Sequence, residues 1–160
     1  MPSEIERKFL VDRVPGTGGA VSTAISQGYL TRGGDSEVRI RRTPEGSTLT
    51  VKHGGGLERA EYETALSEEQ CAALWPATEG ARLTKVRTEV PLEDGRTAYL
   101  DTYEGALAGL RTVEVEFGST AEAAAFEPPD WFGTDVTGRS EFKNRSLCLR
   151  STPPTEEPTA

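Results

Sequence analysis

Apolar and charged residues alternate along Glu4-Ile5-Glu6-Arg7-Lys8-Phe9-Leu10-Val11: Ile5, Phe9 and Val11 fall on one parity, Glu4, Glu6 and Lys8 on the other. Successive side chains of a strand point to opposite faces, so the three charges share one face. The same arrangement recurs in Val38-Arg39-Ile40-Arg41, Leu49-Thr50-Val51-Lys52, Glu61-Tyr62-Glu63, Lys85-Val86-Arg87 and Val113-Glu114-Val115-Glu116-Phe117, each run being wholly basic or wholly acidic. Strand-like runs are read at about 3–11, 24–31, 36–43, 47–53, 57–66, 81–92, 97–103 and 110–118. The connections Arg32-Gly33-Gly34-Asp35, Pro44-Glu45-Gly46, Gly54-Gly55-Gly56 and Glu93-Asp94-Gly95 carry the Gly and Asp of tight hairpins. Eight strands joined this way predict an antiparallel barrel in a mainly β, α+β fold. Ser67-Glu68-Glu69-Gln70 reads as a capping box opening a helix through Trp75 that Pro76 ends, and Thr120 to Phe126 as a second helix stopped by Pro128-Pro129. Residues 138–150 read as a third, C-terminal helix.

The alternation leaves open which face is inside. An ordinary amphipathic sheet buries Ile, Val, Leu and Phe and leaves its charges in water. Against that, like charges two residues apart, as in Arg39 with Arg41, Lys85 with Arg87 and Glu114 with Glu116, repel one another and call for a compensating ligand. In the second arrangement the sheet closes with its charges inward, and the helices cover its apolar outside.

The chain has 160 residues, 35% hydrophobic and 28% charged, which suits one globular domain over 1–150. The tail 151–160, rich in Pro, Thr and Glu, is expected to be disordered. A net charge of -8 argues against a nucleic-acid partner, because phosphate-backbone binding leaves a basic domain. No leader pattern and no membrane-length apolar run is read, so a cytoplasmic protein without a membrane partner is expected. Oligomeric state is open between monomer and homodimer. Cys71 and Cys148 lack ligand spacing and read as buried thiols.

An inward charged face has a definite chemistry. Carboxylates from several strands offer hard oxygen ligands suited to Mg²⁺ or Mn²⁺. Lys8, Arg39, Arg41, Lys52, Arg59, Lys85 and Arg87 would surround a chain of phosphates, the arginine forks meeting two oxygens at once. At an effective dielectric near 20, one charge pair at 4 Å is worth about 4 kcal/mol, so several such pairs favour a multiply charged ligand.

These residues carry a resemblance. Glu4-Ile5-Glu6-Arg7-Lys8 resembles the E-x-E-x-K signature of the CYTH domain, or triphosphate tunnel metalloenzyme superfamily. Glu37-Val38-Arg39-Ile40-Arg41 is similar to its R-x-R strand, Leu49-Thr50-Val51-Lys52 to its T-x-K strand and Arg59-Ala60-Glu61-Tyr62-Glu63 to its R-x-E-x-E strand. Lys85-Val86-Arg87 and Val113-Glu114-Val115-Glu116 supply the later pairs. Charged strands abound, so one motif says little; six in the family's order, over roughly 3–150, say much more. Ile25 to Leu30 and Pro128 to Gly133 look most like the short bacterial inorganic tripolyphosphatases of this superfamily.

The resemblance implies an eight-stranded tunnel and metal-dependent hydrolysis of inorganic triphosphate to diphosphate and phosphate. A thiamine triphosphatase, a class IV adenylate cyclase and a non-catalytic polyphosphate- or nucleotide-binding module are the alternatives. It assigns Glu4, Glu6 and Glu116 to the metal first, with Glu61, Glu63, Asp101 and Glu114 as candidates for a second ion. Glu61, Glu63 and Asp101 equally suit ion pairing with neighbouring arginines. Lys8, Arg39, Arg41, Lys52, Lys85 and Arg87 are assigned to the triphosphate, and Arg59 either to it or to Glu61 and Glu63 on its own strand. Glu4, Glu6, Lys8, Tyr29 and Lys85 are the catalytic candidates. Tyr29 either packs or, with Lys8 nearby lowering its pKa, accepts a proton. His53, beside a Gly-rich turn, reads as solvated; Gly54-Gly55-Gly56 is a turn without P-loop features; Trp75 and Trp131 read as packing residues.

Overall fold

The computed structural model describes residues 3–55 and 57–157. Its strands are β1 (Ser3–Val11), β2 (Ser22–Tyr29), β3 (Ser36–Thr43), β4 (Gly46–His53), β5 (Glu58–Leu66), β6 (Arg82–Pro91), β7 (Thr97–Tyr103), β8 (Arg111–Glu116) and β9 (Phe132–Asp135). The first eight fall within a few residues of the alternating runs. β9 was not expected: four residues including Gly133 carry too little alternation to stand out.

Every pairing is antiparallel, in the order β5-β4-β3-β2-β6-β7-β8-β1-β9, and β5 also pairs with β1, which closes an eight-stranded barrel. Closure is shared along β1. Ser3 to Ile5 pair with β5 and Glu6 to Leu10 with β8, while Phe9 and Val11 pair with β9, which takes over the edge that β5 leaves. Barrel closure leaves no long exposed edge to template aggregation. At the β6–β7 turn, Gly95 has φ +89°, a conformation that a side chain disfavours.

The outer face of β1, β7 and β8 buries Ile5, Phe9, Val11, Ala98, Leu100, Val113 and Val115 under α2 (Thr120–Ala125) and β9. Phe9 stacks on Phe132 with ring centroids 5.0 Å apart. Arg7, on the same outward parity, fastens this cover: it donates to the Ala123 carbonyl at 2.9 Å, where α2 ends, and pairs with Asp135 at 2.8 Å. On the opposite side, α1 (Glu68–Leu74) opens with the expected capping box, Ser67 with Gln70, and runs into a 3₁₀ turn, Trp75–Thr78. Thr78 sits directly on Gly28 of β2, where a Cβ would stand 2.6 Å from the threonine side chain.

The expected C-terminal helix over 138–150 is not formed as one element. A 3₁₀ turn (Ser140–Phe142) and a single helical turn, α3 (Asn144–Leu147), take its place. Its apolar residues are wanted elsewhere: Val136, Phe142, Leu147 and Cys148 pack with Tyr29, Leu83, Tyr103, Leu107 and Leu110, so this segment crosses one end of the barrel instead of lying outside it. Val136 N–H donates to the Lys8 carbonyl at 2.9 Å and Lys8 N–H to Thr137 Oγ1 at 3.0 Å, anchoring the crossing to β1. The tail, expected to be disordered, is described as far as Glu157; Arg139 meets the Thr155 carbonyl, and Thr134 meets Glu156. Both cysteines are buried and free.

Candidate active site

The register brings the charged parity of the strands into the barrel and sorts it by sign. Three contiguous strands, β5, β1 and β8, carry Glu61, Glu63, Glu4, Glu6, Glu114 and Glu116. Glu6 lies directly opposite Glu116 and Lys8 opposite Glu114. Strands β4, β3 and β6, the first of them paired directly with β5, carry Lys52, Arg39, Arg41 and Arg87. Between the two sectors lies a cavity of about 180 Å³. Leu57, Tyr29, Glu37 and Arg59 line it as well, together with Val136, Thr137, Lys143 and Asn144 from the crossing segment.

Ion pairs form within and between the sectors. Lys52 Nζ stands 2.6 Å from Glu4 Oε1, Lys8 Nζ 3.6 Å from Glu114 and Arg59 3.6 Å from Glu37. The Lys52–Glu4 contact lacks hydrogen-bond alignment, since Glu4 Oε1 remains a buried acceptor without a hydrogen-bond donor. Arg39 Nε and Arg59 Nη2 are likewise buried donors without acceptors. Among the described residues Arg41 donates only to the neutral Gln27 Oε1, at 3.2 Å from both Nε and Nη2. Unpaired polar atoms deep in a protein are costly, and orphans of both signs around one cavity suit a ligand that brings both charges.

The carboxylates separate in acidity. Burial, then the charge of Glu114, raises Glu6 to about 8 from an ordinary 4.5. Burial and the neighbouring Glu61 also raise Glu4, against the pull of Lys52. Although burial opposes it, Lys8 and Arg87 hold the Glu114 carboxyl far below the carboxylate range. Adjacent carboxyls pushed apart in this way leave one protonated and one ionised at neutral pH.

Thirteen of the fifteen residues assigned from sequence line the cavity; Lys85 and Asp101 do not. Both are fully buried and bound to each other at 2.7 Å, and Arg87 grips Asp101 with Nε and Nη2 at 2.8 and 2.9 Å. Although burial opposes it, the two cations lower the Asp101 pKa; of the two readings offered from sequence, this is the ion pair with a neighbouring arginine, and it anchors Arg87. Burial, together with the like charges of Arg87 and Arg41, brings Lys85 down to about 7 against the pull of Asp101. Tyr29 is in the wall, yet burial and then Glu37 push its hydroxyl above the ordinary range, opposite to the expected lowering by Lys8; the hydroxyl accepts from Gln27 Nε2 at 2.8 Å. Arg59 does not pair with Glu61 or Glu63: its Nε donates to the Gly54 carbonyl at 3.0 Å and its Nη1 faces Glu37.

Glu37, Gln27, Lys143 and Asn144 were not assigned. Glu37 shares the parity of Arg39, and Gln27 that of Tyr29, so alternation alone could have found them. Lys143 and Asn144 gave no such signal, being in a stretch read as helix. The remaining conspicuous residues have structural partners. His53 Nδ1 meets Ser36 Oγ at 2.9 Å at the surface, Trp75 is flanked by Arg42 and Arg82, each 4.7 Å from its ring, and Trp131 packs edge-on against Phe132.

Among the described residues, no three His, Cys, Asp or Glu side chains already converge as a coordination set. The residues nevertheless fit a hard divalent cation. Glu4, Glu6 and Glu116 supply hard oxygen donors on paired strands, Glu4 Oε1 is an orphaned acceptor, and burial beside Glu114 raises Glu6, a penalty that a bound cation relieves.

A closed antiparallel barrel whose interior is divided into acidic and basic sectors defines a tunnel for a cation and a polyanion together. The CYTH domain family matches residues 2–128, and the chain belongs to that family. It is 46% identical over 148 residues to the inorganic triphosphatase of Nitrosomonas europaea, covering 92% of this chain and 97% of that protein. It is 34% identical over 149 residues to the inorganic triphosphatase of Acetivibrio thermocellus, covering 92% and 94%. A crystal structure of an inorganic triphosphatase superposes with a TM-score of 0.70 at 42% identity, covering 94% of this chain and 97% of that one.

Proposed function

We propose that this protein is an inorganic triphosphatase that hydrolyses tripolyphosphate to diphosphate and phosphate with Mg²⁺ or Mn²⁺, in the cytoplasm. The observation that carries the reading is the cavity itself, in which Arg39 and Arg41, without an ion-pair carboxylate among the described residues, share the lining with the carboxylates of β5, β1 and β8. The relatives' activity supports it.

Arg39 and Arg41 bind and orient the phosphoryl groups, and Arg87, held rigid by Asp101, adds a third guanidinium that costs no reorganisation during reaction. Lys8, between the Phe142 carbonyl at 2.6 Å and Glu114, presents a positive charge where the acidic sector begins. Glu4, Glu6 and Glu116 would hold the divalent ion, which supplies Lewis acidity and a more acidic bound water. Water adds to the terminal phosphorus, its bridging P–O bond breaks, diphosphate leaves with that oxygen, and the water's proton passes to a carboxylate of the acidic sector. Crossing residues 136–144 limit access of bulk water from their end of the barrel.

The test is phosphate release from tripolyphosphate by the purified protein with Mg²⁺, with Mn²⁺ and with EDTA, beside ATP and thiamine triphosphate. Release from tripolyphosphate that needs the metal is expected. No release with either ion overturns the proposal, and preference for ATP or thiamine triphosphate reassigns the substrate.

A further inference from the structure

The arginines that line the cavity are held in different ways. Arg87 is gripped by the Asp101 carboxylate at 2.8 and 2.9 Å, and Arg59 faces Glu37 at 3.6 Å. Among the described residues, only Arg41 is held by an amide: Gln27 Oε1 accepts from both its Nε and its Nη2. A carboxylate in that place would orient the guanidinium equally well and cancel its charge. An amide carbonyl orients the fork and leaves the charge whole.

Gln27 is fitted to this contact from several sides. It lies directly opposite Arg41 in the β2–β3 register, and on its other side β6 presents Leu83, which offers no polar group. It is 0% exposed and stands behind the cavity lining, to which Arg41 belongs. Arginine can only donate, so the amide must turn its oxygen to Arg41 and its nitrogen away. That nitrogen donates to the hydroxyl of Tyr29, which is fully buried too, so a flipped amide would lose its acceptor role toward Arg41. Thr78, seated on the next residue, Gly28, backs the strand from outside the barrel.

The charge that Gln27 leaves intact is costly to the empty protein. Burial, with the like charges of Arg39 and Arg87, lowers Arg41 to about 10. A carboxylate at position 27 would relieve that penalty, so stability alone favours Glu there over Gln. Building on the triphosphate reading, we propose that Gln27 is a positioning residue, which fixes the Arg41 guanidinium toward the phosphoryl groups while leaving its full charge to bind them. Gln27 touches no phosphate itself and acts through Arg41.

The experiment is calorimetric titration of tripolyphosphate into metal-free wild type, Gln27→Met, Gln27→Glu, Arg41→Met and the double variant of Gln27→Met with Arg41→Met. Thermal melting and metal-dependent KM and kcat are measured on each. Gln27→Met keeps the side-chain length and removes the acceptor, and should weaken binding by about tenfold. In the Arg41→Met background the same change should alter affinity by less than about twofold, because the residue it acts through is gone. Gln27→Glu keeps the size and both bonds to Arg41. It should melt no lower than wild type yet bind tripolyphosphate more weakly by about tenfold or more, with KM raised by a larger factor than kcat is lowered. A packing role predicts the reverse, a lower melting temperature with affinity unchanged. Equal weakening by Gln27→Met with and without Arg41, or wild-type affinity in Gln27→Glu, overturns the proposal, as does a wild type that does not bind tripolyphosphate. Should Gln27→Met not fold, Gln27→Asn, whose shorter side chain withdraws the same acceptor, replaces it in the cycle. If the wild type binds tripolyphosphate but releases no phosphate with metal, the triphosphatase reading fails while the role of Gln27 is still decided by the titration.

Discussion

Replacing Glu6 by Gln should stabilise the metal-free protein by an amount that grows with pH. Glu6 is raised from 4.5 to about 8 by burial and by Glu114, so the folded protein holds its proton where the unfolded chain has lost it. Stability tied to that proton is fully present below about pH 4.5 and is lost as pH rises through about 8. At about 1.4 kcal/mol per pH unit, the full interval corresponds to about 5 kcal/mol above pH 9, and to about 3 kcal/mol at pH 7. Gln resembles the protonated carboxyl and escapes this loss. With about 2–4 °C per kcal/mol for a domain of this size, Glu6→Gln should melt about 6–12 °C above wild type at pH 7 in EDTA. The two proteins should nearly coincide at pH 5 and separate further at pH 9. Urea unfolding in EDTA at the three pH values measures the difference directly, and metal-dependent tripolyphosphatase rates measured alongside should fall to a small fraction of wild type. A constant difference across pH would refute the electrostatic account, and a destabilised variant would make Glu6 a structural ion-pair partner. Retained turnover would remove Glu6 from the metal site.

Three further outcomes follow from particular contacts. Binding Mg²⁺ to a protonated Glu6 should release close to one proton at pH 7 and almost none above pH 9, which titration in buffers of different ionisation enthalpy reads out. Arg39→Ala and Arg41→Ala should each raise KM for tripolyphosphate by about tenfold or more, because each removes a charge-assisted phosphate contact; unchanged KM and kcat would move the substrate off β3. Phe9, 1% exposed beneath α2 and β9, should cost about 3–5 kcal/mol on truncation to Ala, measured by chemical unfolding; a loss below about 1 kcal/mol would mean that the outer cover does not hold the barrel.

Alternation made the strands and the direction of their side chains readable, because a period of two is imposed by the backbone and survives in any sheet that buries one face. It carried no information on depth. Asp101 and Glu114 both point inward, yet one lies sealed between Lys85 and Arg87 while the other lines the cavity. Depth depends on stagger between strands, and stagger follows from long-range pairing that no local window contains. The crossing segment was unreadable for a different reason. Val136, Phe142 and Leu147 are spaced by the barrel mouth they fill, not by a helix or strand period, so Lys143 and Asn144 escaped notice. The sorting of signs into sectors was half visible: each strand declared its own sign, but the adjacency of β5, β1 and β8 appears only once the ends of the sheet meet.

The sharing of β1 among three partners bears on how the chain reaches this structure. β2 to β5 form a meander of near neighbours, and β6 to β8 form another. β1 belongs to neither: it bonds to Glu58–Ala60 on one side and to Thr112–Glu116 on the other. Its pairing must therefore await two distant segments, and such non-local closure is slow because loop entropy is lost before contacts compensate. During that delay β1 is an unpaired strand, and the Glu4, Glu6 and Lys8 charges that later face the cavity disfavour its pairing with another molecule. Neutralising these residues together should thus lower refolding yield at high protein concentration even where the native state becomes more stable.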